Sequence, residues 1–229
     1  MALTIFAGVL FVGVSFAVPS INYSKQFSTS LSRYATTAQS GSARLSEIRE
    51  TYLDSPGTTL AWQLCLADYV NAQAHLSLMM LDITARYQKE ALPDALAEAD
   101  DVLKAKLRCT PTDGNTWLQL AKVKRAQGDD WLSHLRQSRR FSSANYLAIR
   151  ERLSLLVIDP DSWNEEAVNA AVELSIFFDQ GRFNDIEALY LIAHETVRPV
   201  ILDTLERVHT QKWERLTKKL KKLSVRTPT

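Results

Sequence analysis

Residues 109–129 read "CTPTDGNTWLQLAKVKRAQGD", and this stretch decides the fold class. It reads as a turn, a helix and a stop, with Trp117 near the helix start. Trp117, Leu120 and Ala121 then fall at offsets of 0, 3 and 4, one face of a helix. Gly128 follows where a helix must stop and the chain must adopt positive φ. Turn, helix and stop fit within 21 residues, with no alternating strand pattern.

The same grammar extends along the chain. The 229 residues contain only seven Gly and seven Pro, and 46% are hydrophobic, which gives a core-forming, helix-rich composition. "DSPG" at 54–57 is a turn, and residues 58–91 read as one long helix with Leu60, Leu64, Ala67, Ala74, Leu78, Leu81 and Tyr87 on its apolar stripe. A helix also fits about 42–53. "LPDALAEADDVLKAKLRC" starts another, with Pro93 in the tolerated first turn and Asp94 and Glu98 favouring the dipole. Further helices are expected near 130–140, 145–158, from 161–164 onward, after the turn at 180–182, and from 198 to 223. The connections are short, so neighbours pack antiparallel.

Within the opening stretch, Trp, then Leu and a small residue, then Gly, then Ser133 on the next helix, resembles a tetratricopeptide repeat (TPR). Ala99 stands 34 residues before Ser133, and Pro111 ends that preceding unit. "QGRFNDIEALYLIA" resembles the same turn, but the Gln-Gly pairs at 127 and 180 are 53 residues apart, out of phase with a 34-residue period. Lys124 and Gln137 occupy positions that a good repeat gives to other residue types. The likeness is therefore to a degenerate repeat, strongest over 83–145. An irregular helical bundle is the competing reading. With its apolar N-terminus the chain also looks similar to small single-span TPR-like proteins of bacterial envelope and exopolysaccharide loci. The resemblance implies an all-α antiparallel hairpin array that binds another protein, and an inner-helix site of polar side chains at Asn115, Gln119, Lys122 and Lys124.

Residues 2–18, "ALTIFAGVLFVGVSFAV", carry no charge over seventeen positions, the lower limit for a membrane span. A retained anchor is expected over residues 1–20. A cleaved signal ending at Ser15–Ala17 and a buried core helix are the alternatives. Residues 21–57 form a Ser- and Thr-rich stem and first helix, 58–195 the helical domain, and 196–229 a basic closing helix and tail. Lys25, Arg33, Arg44 and Arg49 follow the span and argue for a cytoplasmic body. Glu47 and Glu50 weaken that bias, and the body is placed in the periplasm of a bacterial inner-membrane protein, with a cytoplasmic body as the alternative.

Charge is asymmetric. Between Lys212 and Arg226 there are seven basic residues and one acidic, against twenty basic and twenty-five acidic elsewhere. Trp213, Leu216, Leu220 and Leu223 form one stripe, with Lys218, Lys219 and Lys222 on other faces. Such a helix either contacts an anionic membrane or acidic partner, or closes the core with its lysines solvated. No nucleic-acid platform accompanies it.

Signs of catalysis are sparse. His75, His134, His194 and His209 lack metal spacing, and "HETVR" at 194–198 has Arg198 where a zinc-protease motif needs its second His. Phosphate-loop and nucleophile-elbow motifs do not occur. Clustered acids at Glu98, Asp100, Asp101, Glu165 and Glu166 fit helix starts and solvated faces. No catalytic residue, metal or cofactor is expected. Cys65 and Cys109 are either two small apolar residues or, in an oxidising compartment, one disulfide. The expected function is a membrane-anchored interaction scaffold assisting an envelope or exopolysaccharide assembly. The alternatives are an enzyme or accessory subunit of envelope polysaccharide synthesis, and a purely structural tether.

Overall fold

The computed structural model describes residues 64–208. Among these residues every regular element is helical: α1 Ala67–Tyr87, a 3-10 turn Lys89–Ala91, α2 Leu92–Cys109, α3 Gly114–Gln127, α4 Leu132–Phe141, α5 Tyr146–Leu156, α6 Pro160–Glu165, α7 Ala167–Asp179, α8 Phe183–Ile192 and α9 Val197–Val208. The chain is all-α over this range. None of these helices is long and apolar enough to cross a membrane. The expected anchor at 2–18, the helix at 42–53 and the tail residues Trp213, Leu216, Lys218, Lys219, Leu220 and Lys222 lie outside the described residues.

The described residues divide into two compact units, one of residues 64–112 with Ala126–Gly128, the other Asp113–Arg125 with residues 129–208. In the first, α1 packs along α2. Pro93 lies in the first turn of α2 with Asp94, and Lys106 and Arg108 lie in its last, all matched to the helix dipole. Its buried positions Leu96, Ala99, Leu103 and Leu107 recur every three or four residues. Helix α1 departs from the expected single helix over 58–91. A turn occupies Leu64 and Cys65, and the helix proper begins at Ala67. The expected stripe is also rotated: Val70, Gln73, Ala74, Leu76, Ser77 and Thr84 are buried, while Leu64 and Tyr87 are exposed. Leu76 is buried among small and polar residues, while Leu78 and Leu81 are only half-buried, so small and polar residues set much of the close-packed side.

The second unit is built around α7, which packs against α5, α6, α8 and α9. Ala170, Leu174, Phe177 and Phe178 from α7 join Ile149, Leu153 and Leu156 from α5, Ile186 and Leu189 from α8, and Ile201 and Leu205 from α9 in one core. The caps explain the element starts. Asp113 Oδ1 accepts from the amides of Asn115 (3.0 Å) and Thr116 (3.2 Å) to start α3. Asn145 accepts from Ala148 N at 3.2 Å to start α5, and Asp159 accepts from the Ser162 hydroxyl at 2.8 Å to start α6. Gly128 (φ 78°) and Gly181 (φ 70°) take the left-handed conformation after α3 and α7. The helix expected from 161–164 onward is two helices, broken at Glu166, whose carboxylate turns inward.

The expected packing role of Trp117 is only partly met. It is half-buried, its ring 5.8 Å from that of His134, whereas Trp163 is the fully buried indole of this unit. Close approach occurs at Gly114, where an added Cβ would lie 2.2 Å from Ser142 Oγ.

Candidate functional site

Two features of the second unit bring side chains together: a buried ion network and an open groove. The network joins α4, α5 and α7. Arg152 is 0% exposed and donates from Nε to Glu173 Oε1 at 2.6 Å, from Nη1 to Ser138 Oγ at 3.2 Å and from Nη2 to the Ser142 carbonyl at 3.3 Å. Arg139 links the two buried glutamates, donating to Glu173 Oε1 at 3.2 Å and Glu166 Oε2 at 2.6 Å. Arg136 reaches Glu166 Oε1 at 2.6 Å and also bonds Glu165, and Asn169 Nδ2 donates to Glu166 Oε2 at 3.0 Å. Burial pushes the Glu166 carboxyl upward, but hydrogen bonds from Arg136, Asn169 and Arg139 outweigh it and hold the group below the usual glutamate range. Burial lowers Arg152 from the usual guanidinium value, opposed by Glu173. Three arginines face three glutamates, so the network is closed on itself and is built to hold helices.

The groove lies between α5 and α8. Leu147, Arg150, Glu151 and Ser154 occupy i, i+3, i+4 and i+7 of α5, one helical face. Ala188, Leu189 and Ile192 face them from α8, and together they enclose about 340 Å³ of open cavity. Leu147 is 51% exposed and Ile192 53%, large apolar groups left in solvent at the groove. The polar members have protein partners. Arg150 pairs with Asp185 across the two helices (3.4 Å), Glu151 pairs with Lys122 of α3, and the Ser154 hydroxyl donates to the Glu151 carbonyl at 2.7 Å.

The structure separates the residues expected to form a site. Lys122 reaches the groove rim through Glu151. Asn115 and Gln119 precede it by two turns and one turn on the same face of α3. Lys124 lies on the opposite face. Its side chain is 13% exposed and pairs with Asp129 across the Gly128 turn at 3.1 Å. Sequence reasoning missed Leu147, Arg150, Ala188 and Ile192. The available signal was "YLAIRERLSLL", apolar on more faces than one buried stripe needs. Cys65 and Cys109, in the first unit, are joined in a disulfide with Cα atoms 5.3 Å apart. Among the described residues no three His, Cys, Asp or Glu gather as a metal site. No protein-family model, curated protein or solved structure matches the chain.

Proposed function

We propose that this chain is a protein-interaction scaffold whose α5–α8 groove receives an apolar helical segment of a partner protein. The observation that carries the reading is the open groove with Leu147 and Ile192 exposed beside it and its charged residues already paired. A helix laid between two helices buries such side chains at i, i+3 and i+4 spacing. The paired charges remove the cost of leaving a rim ion unsatisfied when the groove fills.

The repeat-like reading accompanies it. The Trp117–Gly128 sequence pattern, with Gly128 in the left-handed conformation after α3, supports a TPR-like array. A membrane anchor at 2–18 and a body outside the cytoplasm form the proposed setting. The uncharged run supports the anchor, and the disulfide supports an oxidising compartment. An envelope polysaccharide assembly is the proposed context.

A photo-crosslinking amino acid placed in the full chain at Leu147, Ile192 or Asp101, in intact cells, tests the groove. Discrete adducts from the two groove sites, absent from the exposed α2 site and lost when Ala188→Arg fills the groove, are the expected result. Equal labelling from all three positions, or adducts untouched by Ala188→Arg, removes the groove from the function.

A further inference from the structure

Within the described residues of the first unit, α1 and α2 form a hairpin closed at both ends. Helix α1 has 21 residues and α2 has 18, joined through Lys89–Ala91. At 1.5 Å per residue the two run nearly equal lengths, so the start of α1 returns to the end of α2. There the Cys65–Cys109 bond bridges a sequence separation of 44 and makes one covalent ring of the hairpin.

Three observations distinguish this bond from a buried staple. Cys65 is exposed to solvent, and Cys109 is only half-buried. Cys65 sits at φ 48°, in the left-handed region that a non-glycine residue enters only at a cost. The helix it introduces has no side-chain cap: its N-cap is Leu66, which makes no capping hydrogen bond, and the first-turn backbone bond visible there is Val70 N to Leu66 O at 2.9 Å. The other helix end is independently satisfied. Thr110 donates from both its amide (2.8 Å) and hydroxyl (3.1 Å) to the Lys106 carbonyl. The disulfide therefore ties down the start of α1, where Leu66 supplies no side-chain cap.

We propose that Cys65–Cys109 is a thiol-exchange clasp, opened by a dithiol reductant to release the start of α1 from the end of α2. The step balances. A reductant thiolate attacks Sγ of the exposed residue Cys65, the Cys65–Cys109 bond breaks, and Cys109 leaves as a thiolate that takes a proton from solvent. The reductant's second thiol then loses its proton to solvent and attacks the reductant sulfur in the mixed disulfide. Cys65 leaves as a thiolate and is protonated. Two electrons pass to the protein, and the reductant ends as a disulfide. Exposed and strained disulfides exchange in this way, while buried ones resist. Once open, Cys65 relaxes from its left-handed backbone and the uncapped first turns of α1 fray. This clasp is independent of what fills the α5–α8 groove.

The test is hydrogen exchange on the full chain, oxidised and then treated with millimolar dithiothreitol without denaturant, with thiol alkylation as the count of opened bonds. The expected result is complete native-state alkylation of both cysteines and about tenfold faster exchange at residues 70–74. Residues 79–87 should change by less than about twofold, since fraying is local to a helix end. A Cys65→Ser, Cys109→Ser double variant should reproduce the reduced pattern and ignore dithiothreitol. Resistance of the bond until denaturant is added overturns the proposal. So does a uniform rise in exchange throughout α1 and α2, which marks a global structural staple, and so does unchanged exchange at 70–74 in the reduced chain.

Discussion

Replacing Arg152 by Met should be among the most damaging single changes in the second unit, and the damage should be repairable by a second loss. Arg152 is fully buried and supplies three hydrogen bonds: to Glu173 at 2.6 Å, Ser138 Oγ at 3.2 Å and the Ser142 carbonyl at 3.3 Å. Removing it leaves Glu173, itself buried, with Arg139 Nε at 3.2 Å as its remaining ion-pair contact. Breaking a buried pair from one side costs about 3–5 kcal/mol, because the surviving charge, already out of water, has lost its closest partner. That is a large share of the roughly 5–15 kcal/mol that stabilises an ordinary domain. Glu173→Met should cost a similar amount by stranding Arg152. The double variant behaves differently. Glu173 Oε2 and Arg139 Nη2 are buried without a hydrogen-bond partner among protein atoms, so the native network is imperfectly satisfied. Arg139 keeps Glu166 when Glu173 is gone. Two methionines in place of the pair should bring stability back to within about 1 kcal/mol of the parent. Arg152→Lys keeps the charge but not the planar fork, and should fall between, at about 1–2 kcal/mol. Urea unfolding of the full chain, followed by near-ultraviolet circular dichroism, measures all four variants. Single variants each losing under about 1 kcal/mol, or a double variant losing the sum of the two, would refute the reasoning.

Two further outcomes follow from other positions. Gly114→Ala sets a Cβ 2.2 Å from Ser142 Oγ and 2.9 Å from the Ser142 amide nitrogen; side-chain rotation relieves only the first, so overpacking should cost about 1–3 kcal/mol, read as a lower thermal midpoint. Glu166 has a folded pKa below its ordinary 4.5, so its stabilisation is full above that value and drains as pH falls through the folded value. Glu166→Gln should be less stable at neutral pH and lose less on acidification, as measured by denaturant midpoints across an acid series.

Element identity was the most legible part of the sequence. The α2 reading holds from Leu92 because Pro93 and Asp94 announce its start, and α8 follows the turn at Gly181 for a comparable local reason. These signals are carried by adjacent residues. The face of α1 was not legible, because its apolar residues surround the helix and tertiary packing chose Gln73, Ser77 and Thr84 for the buried side. The four polar residues read as a site on α3 fared unevenly. Lys122 meets the groove rim and Lys124 is turned away, a difference of half a helical revolution over nine positions from Asn115 that a helical wheel resolves. The groove itself required knowing that α5 and α8 are neighbours. The glutamates at 165 and 166, read as a solvated helix start, part company at the helix break: Glu165 remains exposed and Glu166 is buried among arginines. No pattern in consecutive residues announces that break.

The spacing of the ion network along the chain also bears on how this unit comes into being on the ribosome. Its bonds join residues separated by 3 to 34 positions, and all of them lie before the Gly181 turn. Loop-closure entropy grows only with the logarithm of such lengths, so these contacts are inexpensive to reach once α4, α5 and α7 have emerged. The N-terminal part of the second unit therefore has its own interlocking charges available as soon as α7 has emerged, ahead of α8 and α9. The later helices arrive at a surface already organised, and the apolar wall of the groove is the last side to be built.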